Sequence, residues 1–250
     1  MERCYAPVYE RRRPVTVCAD QVMTERTYLI NKHFSTEVSR TKRVLEIAEA
    51  FGLGLDEKDF VVFDNLKLQI NDGDVVYITG QSGSGKSTIL NELKSLMKKE
   101  GLKVADIDEA TSTDEPIIDQ LCPTVSEALQ IFSLVGLSDA NLYLRKPKEL
   151  SDGQRYRFKL ARLIESGAQV WFADEFLAVL DRVTAKNIAF NLQKIARKCG
   201  ATLIVATTHT DLVNDLAPDT YILKRYRERI DVKVRTEDGY RDITSEFDGK

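Results

Sequence analysis

The chain has 250 residues, of which 43% are hydrophobic and 30% charged, so it can bury a full core in one large domain or two small ones. Its apolar runs are far shorter than the roughly 20 residues that span a bilayer, and its first residues lack the apolar core of a signal peptide. We therefore predict a cytoplasmic protein without direct membrane insertion. The four cysteines lack metal-ligand spacing, which favours reduced thiols, and the net charge of −3 does not indicate a nucleic-acid-binding protein.

Apolar periodicity divides the chain into three parts. Residues 1–58 combine short β-like pieces, such as 14–18, with a helical pattern over 41–53, and form a predicted N-terminal extension. Residues 59–223 alternate apolar runs with amphipathic stretches, which predicts an α/β domain with a mainly parallel sheet and a compact helical arm at about 120–165. Residues 224–250 form a basic tail with a predicted β-hairpin that turns at Asp238 and Gly239. The predicted strands of the central part are 60–63, 75–79, 104–107, 170–173 and 203–207, and its helices are 87–99, 126–134, 153–165 and 182–199.

A glycine-rich segment, GQSGSGKST at residues 80–88, follows a predicted strand and opens a predicted helix. In that context the pattern G-x-x-x-x-G-K-[ST] predicts a phosphate-binding loop rather than a glycine-rich surface turn. Backbone N–H groups and the helix N-terminus bind phosphate oxygens, the lysine neutralises them, and the serine hydroxyl ligates Mg²⁺. The predicted nucleotide contacts are therefore Gly80, Gln81, Ser82, Gly83, Ser84, Gly85, Lys86, Ser87 and Thr88.

Two adjacent carboxylates, Asp174 and Glu175, end the apolar run QVWFA. The carboxyl edge of an open α/β sheet is where such folds bind ligands. We predict that Asp174 holds Mg²⁺ and that Glu175 orients and deprotonates the attacking water. Paired acids after a strand also serve as helix caps, so this interpretation depends on the phosphate loop.

Two further polar residues are candidates for the same site. His209 follows the apolar run LIVAT, which brings it to the edge of the sheet that carries the phosphate loop, and there it can donate a hydrogen bond to a γ-phosphate. Gln120 precedes a proline and the predicted capping box Thr124 to Glu127, and a loop glutamine there can contact Mg²⁺ and the attacking water. Alone, each has a plain alternative as a surface or loop residue.

The stretch LSDGQ at residues 150–154 contains an unusual helix start. Ser151 and Gln154 have the spacing of a capping box. Gly153 in the first turn costs roughly 1 kcal/mol relative to alanine, and the helix carries cations near an end where the macrodipole favours anions. A cap alone does not explain Gly153.

Together these motifs resemble the ATP-binding-cassette (ABC) ATPases over about residues 58–223. LSDGQ is similar to the family signature L-S-G-G-Q, with Asp152 in place of a glycine, and residues 178–181 (AVLD) resemble the D-loop. The resemblance implies a P-loop cassette with a mainly parallel sheet, an antiparallel β part and a short helical subdomain. It also implies ATP and Mg²⁺ as cofactors, Gln120 as the Q-loop residue and His209 as the switch histidine.

The same resemblance implies a head-to-tail homodimer that forms on ATP binding. In it, the signature turn of one subunit contacts the γ-phosphate held by the other. The implied contacts are Ser151, Gly153, Gln154 and the D-loop Asp181. An aromatic ring before the first core strand is implied to stack on adenine; Phe51 and Phe60 both qualify, and we favour Phe51.

Two hypotheses remain for the output of the ATPase. The chain is also similar to soluble, mostly archaeal ABC ATPases often fused to a predicted acetyltransferase domain, which suggests a soluble switch for a separate acetyltransferase-like effector or for nucleic acid. The segment 224–235 has six cations and two anions, a local excess of 4. Such a run is usually a solvated face, and its alternative is a docking surface for an acidic partner or for nucleic acid. The alternative is a detached ATP-binding subunit of an ABC transporter.

Overall fold

The structure, a computed structural model, describes residues 25–36, 39–53, 58–225 and 230–244. The strand predicted at 14–18 lies outside them. No helix in these ranges is long and apolar enough to cross a membrane.

A seven-stranded sheet forms the centre of the molecule, in the order β4-β5-β6-β3-β7-β8-β9. The first five of these strands run parallel, and β8 and β9 extend the sheet in antiparallel fashion. This confirms the mainly parallel sheet that the sequence predicts. The strands are β3 (Val75–Gly80), β4 (Val104–Asp106), β5 (Val170–Ala173), β6 (Thr202–Thr207), β7 (Thr220–Lys224), β8 (Ile230–Thr236) and β9 (Gly239–Asp242).

A second sheet consists of two long antiparallel strands, β1 (Glu25–Thr36) and β2 (Lys58–Asn71). Glu25 pairs with Asn71 and Thr36 with Lys58, so this pairing joins the predicted N-terminal extension to the start of the predicted cassette. The boundary predicted at 58 therefore falls at the first residue of β2. The boundary predicted at 223 falls inside β7, which pairs with β8.

The helices begin and end close to their predicted positions. Thr41 and Thr124 cap the helices that follow them, and Gly200 ends α6 in the left-handed region at φ 66°. The helical arm consists of α3 to α5 and a short 3₁₀ helix, Pro147–Glu149. The helices are α1 (Lys42–Phe51), α2 (Lys86–Lys99), α3 (Val125–Leu134), α4 (Ala140–Tyr143), α5 (Asp152–Glu165), α6 (Arg182–Cys199) and α7 (Val213–Leu216).

Two apolar clusters fill the two faces of the central sheet. On one face, Tyr77 and Trp171 pack with side chains of α3, α5 and α6. On the other face, α2 and the β1–β2 pair pack against Ile78 and Phe172. The Trp171 ring is buried, and its Nε1 donates to the Ala168 carbonyl at 3.0 Å. The molecule is thus layered, and the loops after β3, β5 and β6 meet at one sheet edge because those strands are parallel neighbours.

The C-terminal hairpin differs from its prediction by one residue. Thr236 pairs with Gly239, so the two turn residues are Glu237 and Asp238 rather than Asp238 and Gly239. Gly239 has a φ of 125°, a conformation that side chains disfavour, and it takes the first position of β9.

Candidate nucleotide-binding site

The phosphate-loop sequence, residues 80–88, connects β3 to α2 as predicted. Gly80 has a φ of 148°, and a Cβ there would lie 2.0 Å from the Lys224 carbonyl oxygen of β7. Gly83 and Gly85 also have positive φ values, and Gly85 caps α2 without any side-chain hydrogen bond. In the first turn of α2 the Thr88 N–H donates to the Gly85 carbonyl at 3.1 Å, so the N–H groups before it remain for another acceptor, and an anion is the acceptor that a helix N-terminus prefers.

The lysine of this loop is folded back onto it. Lys86 is 8% exposed, and its Nζ donates to the carbonyl oxygens of Gly80 at 2.9 Å and Gln81 at 2.8 Å. Burial lowers the pKa of Lys86, whereas the carboxylates of Asp174 and Glu175 act to raise it. Those two carboxylates therefore lie close enough to act electrostatically on the lysine, as the sequence predicts.

The neighbouring hydroxyls of the loop differ in exposure. The Ser87 side chain is exposed and the Thr88 side chain half-buried. Ser84 is 6% exposed, and its Oγ has no hydrogen-bond partner among the described residues. Gln81 and Ser82 lie on the exposed outer side of the loop.

The two carboxylates occupy the turn that follows β5. Asp174 Oδ1 accepts a hydrogen bond from the Glu175 N–H at 2.9 Å, and the Glu175 side chain is exposed. Glu175 has a φ of 45°, which is uncommon for a residue with a side chain and is shared here with Cys122, Leu177 and Ala217. Ser87 and Asp174 offer oxygen atoms of the type that Mg²⁺ prefers. These residues fit the predicted metal.

The switch-histidine candidate has a fixed backbone. The His209 carbonyl oxygen accepts hydrogen bonds from the hydroxyls of Tyr77 and Thr79 in β3, the latter at 2.7 Å. Burial lowers the pKa of His209, the cation of Arg182 lowers it further, and Asp211 acts to raise it. The imidazole is half-buried at the same sheet edge as the phosphate loop.

The Gln120 side chain bonds to its own loop. Its Oε1 accepts from the Thr113 N–H at 2.8 Å, and its Nε2 donates to the carbonyl oxygens of Thr113 and Glu115. The amide thus closes this loop. Contact of Gln120 with magnesium and the attacking water stays a prediction, and it requires the amide to exchange these partners.

A residue that the sequence analysis missed takes the position beyond β4. Asp108 follows β4 by two residues, and β4 pairs with β5, so Asp108 lies at the same sheet edge as Asp174. Burial raises the pKa of Tyr156, and the charges of both carboxylates add to the rise, while the hydrogen bond that its hydroxyl accepts from the Leu177 N–H at 2.9 Å opposes it. The run VADID ends in acidic residues after a strand, and this signal could have identified it.

The signature stretch forms the predicted capping box. Ser151 Oγ accepts from the Gln154 N–H at 3.4 Å, and Gln154 Oε1 accepts from the Ser151 N–H at 3.0 Å. A Cβ on Gly153 would lie 3.1 Å from Leu180 Cδ2. Packing against the D-loop is therefore a second reason for this glycine, besides the backbone approach that the sequence suggests.

The charges around this helix start are used locally. The Asp152 side chain is 86% exposed and pairs with Arg155 at 3.3 Å, so it points outward with a cation beside it. Arg155 also donates to the Leu150 carbonyl at 2.9 Å, and Arg157 donates to the Gly136 carbonyl at 2.7 Å. These arginines hold the loop after α3 and the segment before α5 in place and leave the first turn of α5 open to solvent.

The two remaining predicted contacts are both exposed. Asp181 caps α6 by accepting from the Thr184 N–H at 2.9 Å, and this bonding lowers its pKa. Phe51 lies at the end of α1 with 72% of its surface exposed, while the side chain of Phe60 lies outside the described residues. Phe51 is accessible to a ligand, and its contact with adenine stays a prediction.

The fold and the site together define a P-loop ATPase of the ATP-binding-cassette class. A family model described as "ABC transporter" matches residues 63–178. The cytochrome c biogenesis ATP-binding export protein CcmA of Zymomonas mobilis is 30% identical over 171 residues, which cover 62% of this chain and 74% of that relative. The chain belongs to the ABC transporter family and carries its ATPase domain, which uses ATP and Mg²⁺.

Other similar proteins are larger. The methionine import ATP-binding protein MetN of Clostridioides difficile is 28% identical over 196 residues, and the match covers 65% of this chain and 61% of MetN. The match to the probable syringafactin export ATP-binding/permease protein SyfD of Pseudomonas syringae is 29% identical and covers 60% of this chain but only 28% of that relative. This chain therefore spans between a quarter and two thirds of these two relatives.

Solved structures share the fold. The ATP-binding cassette MJ0796, solved as a dimer in a post-hydrolysis state bound to ADP and Pi, superposes with a TM-score of 0.59 at 20% identity. The superposition covers 82% of this chain and 97% of that one. A bacterial Atm1-family ABC exporter with ATP bound superposes with a TM-score of 0.54 at 18% identity, covering 67% of this chain and 35% of that one.

Proposed function

We propose that two copies of this chain bind and hydrolyse two ATP molecules at a head-to-tail interface. The observation that carries this proposal is the open helix start at residues 151–154. Within the described residues no hydrogen bond joins this turn to the phosphate loop of the same chain, although both are exposed. Gly153 packs on Leu180, so the signature turn and the D-loop form one surface that can receive the nucleotide of a second subunit.

The residues then divide the chemistry as follows. Lys86 and the N–H groups of the loop bind the phosphates, and Ser87 with Asp174 would hold Mg²⁺, which would neutralise phosphate charge. Glu175 accepts the proton of the attacking water, and His209 donates to the γ-phosphate. Ser151 and Gly153 of the second subunit complete the site with donors from a helix N-terminus.

Replacement of Glu175 by glutamine tests this mechanism. Glu175→Gln removes the base while leaving the nucleotide contacts, so we expect hydrolysis to slow by about 10² or more and the ATP-bound dimer to accumulate. Light scattering with excess Mg·ATP measures the mass, with Lys86→Ala as the matched variant that lacks nucleotide. A Glu175→Gln protein that remains monomeric at tens of micromolar would contradict the dimer.

We propose that the dimer powers a membrane-spanning transport partner. The support comes from relatives whose names describe import and export ATP-binding proteins. A docking surface is available on the helical arm, where Val125 and Leu129 are 63% and 38% exposed on one side of α3 and Leu144 is 74% exposed. Tyr143, beside Leu144, stacks on Phe132 of α3 at 5.0 Å, so these apolar residues are neighbours. Because α3 packs on α5, a partner held there would follow the signature helix.

A photo-crosslinking residue at position 129 tests this output in the source cell. We expect a crosslinked product in the membrane fraction with a polytopic protein, lost when Leu144 is changed to Ser and retained when the buried-face control Leu134→Met is used. A product found only with a soluble protein would instead support the second candidate.

That second candidate is a soluble switch for a separate effector, such as an acetyltransferase-like protein, or for nucleic acid. It is favoured by α1, which lies between β1 and β2 in sequence and exposes Leu45, Ile47 and Phe51 by 45%, 54% and 72%. Nucleic-acid binding has less support, because Arg225 pairs with Asp231 at 2.7 Å. The arginines at 227 and 229 of the same candidate surface lie outside the described residues. Salt-dependent anisotropy with labelled DNA and RNA tests it, because phosphate contacts weaken steeply as salt rises.

A further inference from the structure

We propose that Arg182 is a positioning residue for hydrolysis. Through its ion pair with Asp211, it connects the start of α6, directly after the D-loop, to the loop that carries His209. This inference rests on the proposed function of His209. Arg182 directly follows Asp181, the last residue of the D-loop, and its Nη2 forms an ion pair with Asp211 Oδ1. Lys186, one turn further along α6, lies 3.7 Å from Asp211 Oδ2. Asp211 is thus held by two cations of α6, only two residues after His209.

The ion pair completes the fixation of the histidine loop. On one side, β3 holds the His209 carbonyl through the hydroxyls of Tyr77 and Thr79. On the other side, Asp211 is held by α6. The backbone of His209 and the side chain of Asp211, two residues later, are therefore both fixed. Arg182, which holds Asp211, directly follows the D-loop that would contact a second subunit. A change in D-loop position would reach His209 through Arg182.

The bonding of the guanidinium is incomplete. Arg182 Nη1 is enclosed and has no hydrogen-bond partner among the described residues. A guanidinium carries five donors, and an enclosed donor without an acceptor is unfavourable in a group that serves stability alone. Arg197 at the far end of α6 differs: its Nη2 bonds both Asp219 and the Ala217 carbonyl, and among the described residues none of its nitrogens is enclosed without a partner.

Charge connects the same residues to the state of the imidazole. The groups that face His209 are Arg182 from α6, Asp211 from its own loop and the Tyr77 hydroxyl from β3, while Lys186 acts through Asp211. The guanidinium lowers the pKa of His209, and Asp211 raises it. Arg182 therefore favours the neutral imidazole directly, and it also screens the carboxylate that would favour the charged form. If hydrolysis uses neutral His209, the acid limb of the pH profile of kcat follows the pKa of His209.

The chain allows a direct measurement, because His33 and His209 are its two histidines. A ¹H–¹³C spectrum of the imidazole Cε1–H groups of the full chain contains two signals, and His209→Asn assigns them. In Arg182→Gln we expect the His209 midpoint to rise by about half a pH unit or more, the size of shift that one nearby charge produces. Arg182→Lys should restore most of the shift. Asp211→Asn should move the midpoint in the opposite direction.

The activity measurement is matched to the titration. For Arg182→Gln we expect the acid limb of kcat to move upward by the same interval, with the Kd for ATP unchanged. Arg197→Gln is the control, because Arg197 forms an equivalent ion pair with Asp219 at 2.9 Å at the other end of α6 and should leave both readouts unchanged.

Three results would overturn the proposal. They are a His209 midpoint in Arg182→Gln equal to that of wild type, an equal shift in Arg197→Gln, or an acid limb that does not follow the midpoint. If Arg182→Gln fails to fold, the downward shift expected for Asp211→Asn decides. A wild-type protein without ATPase activity would refute the proposed function instead, while the titration would still report on the Arg182–Asp211–His209 arrangement.

Discussion

Gly80 shows how one residue can be required by packing. Its missing Cβ is what lets the Lys224 carbonyl approach, and its φ of 148° belongs to a region that side chains rarely enter. Ser84 Oγ lies 3.2 Å from the same ideal Cβ position. The first glycine of the phosphate loop thus supports the β3–β7 pairing as well as any bound phosphate.

We therefore expect Gly80→Ala to destabilise the fold even without nucleotide. The methyl group must displace backbone, which places the loss at about 3 kcal/mol or more. Guanidinium unfolding measures it, and Gly73→Ala is the matched control. Gly73 also has a positive φ, 86°, but nothing lies within 4 Å of its Cβ position, so we expect a loss of only about 1 kcal/mol there. Equal losses in the two variants would refute the packing argument.

At the scale of single elements, the sequence predicts most strands and helices because their signals are local. The observed bounds of β5 and α6 equal the predicted ones. A short apolar run predicts the strand, and a capped amphipathic stretch predicts the helix, without reference to distant residues. The pairing of β1 with β2 is not local: Glu25 meets Asn71 across α1, and no pattern within β1 reports that partner. The hydrogen bond from the Thr113 N–H to Gln120 Oε1 is likewise not marked by any motif in that loop.

Asp74, directly before β3, is a carboxylic acid with a raised pKa. Asp74 accepts a hydrogen bond from the Asn71 N–H at 2.7 Å. Burial, followed by the charge of Asp219, raises the pKa of Asp74 to about 6. The hydrogen bonds with Asn71 and the cation of Arg197 oppose this rise. An acid whose pKa is higher in the folded state binds its proton more tightly there. Its stabilising contribution is therefore complete below the ordinary value of 3.8 and is lost as the pH rises through about 6.

Asp74→Asn should remove this dependence while keeping an acceptor for Asn71. Relative to wild type, we expect the variant to gain stability between pH 4.5 and 7.5, by about 1 kcal/mol after allowance for solvent screening of a partly exposed group. Unfolding free energies at several pH values measure the difference. Curves that stay parallel over this interval would show that Asp74 does not titrate as described.

At the scale of the whole molecule, the proposed dimer divides the nucleotide site between two chains. In it, Lys86 would act on the nucleotide of its own chain, whereas Ser151 would act on that of the partner. The resemblance to the ABC ATPases implies this division, because a second anion site in the same chain would be superfluous. The geometry that joins the two chains lies outside any single-chain pattern.

We expect Lys86→Ala to lose nucleotide affinity, and Ser151→Ala to retain ATP binding yet lose turnover by about 10². Fluorescent-nucleotide titration and phosphate release measure the two properties. Mixing the variants should restore at most about one working site per heterodimer, provided that Lys86→Ala still associates. The trans assignment fails if Ser151→Ala weakens binding to the monomer as much as Lys86→Ala does.

The indole of Trp171 provides an optical probe of this architecture. It is the single tryptophan of the chain, it is 1% exposed, and it lies three residues before Asp174 on β5. The fluorescence emission of Trp171 in the native protein should be blue-shifted, and it should shift to longer wavelength in one step when the central sheet unfolds. Because no second indole contributes, a change of intensity on adding Mg·ATP would report motion of the strand that carries the carboxylates, without any attached dye.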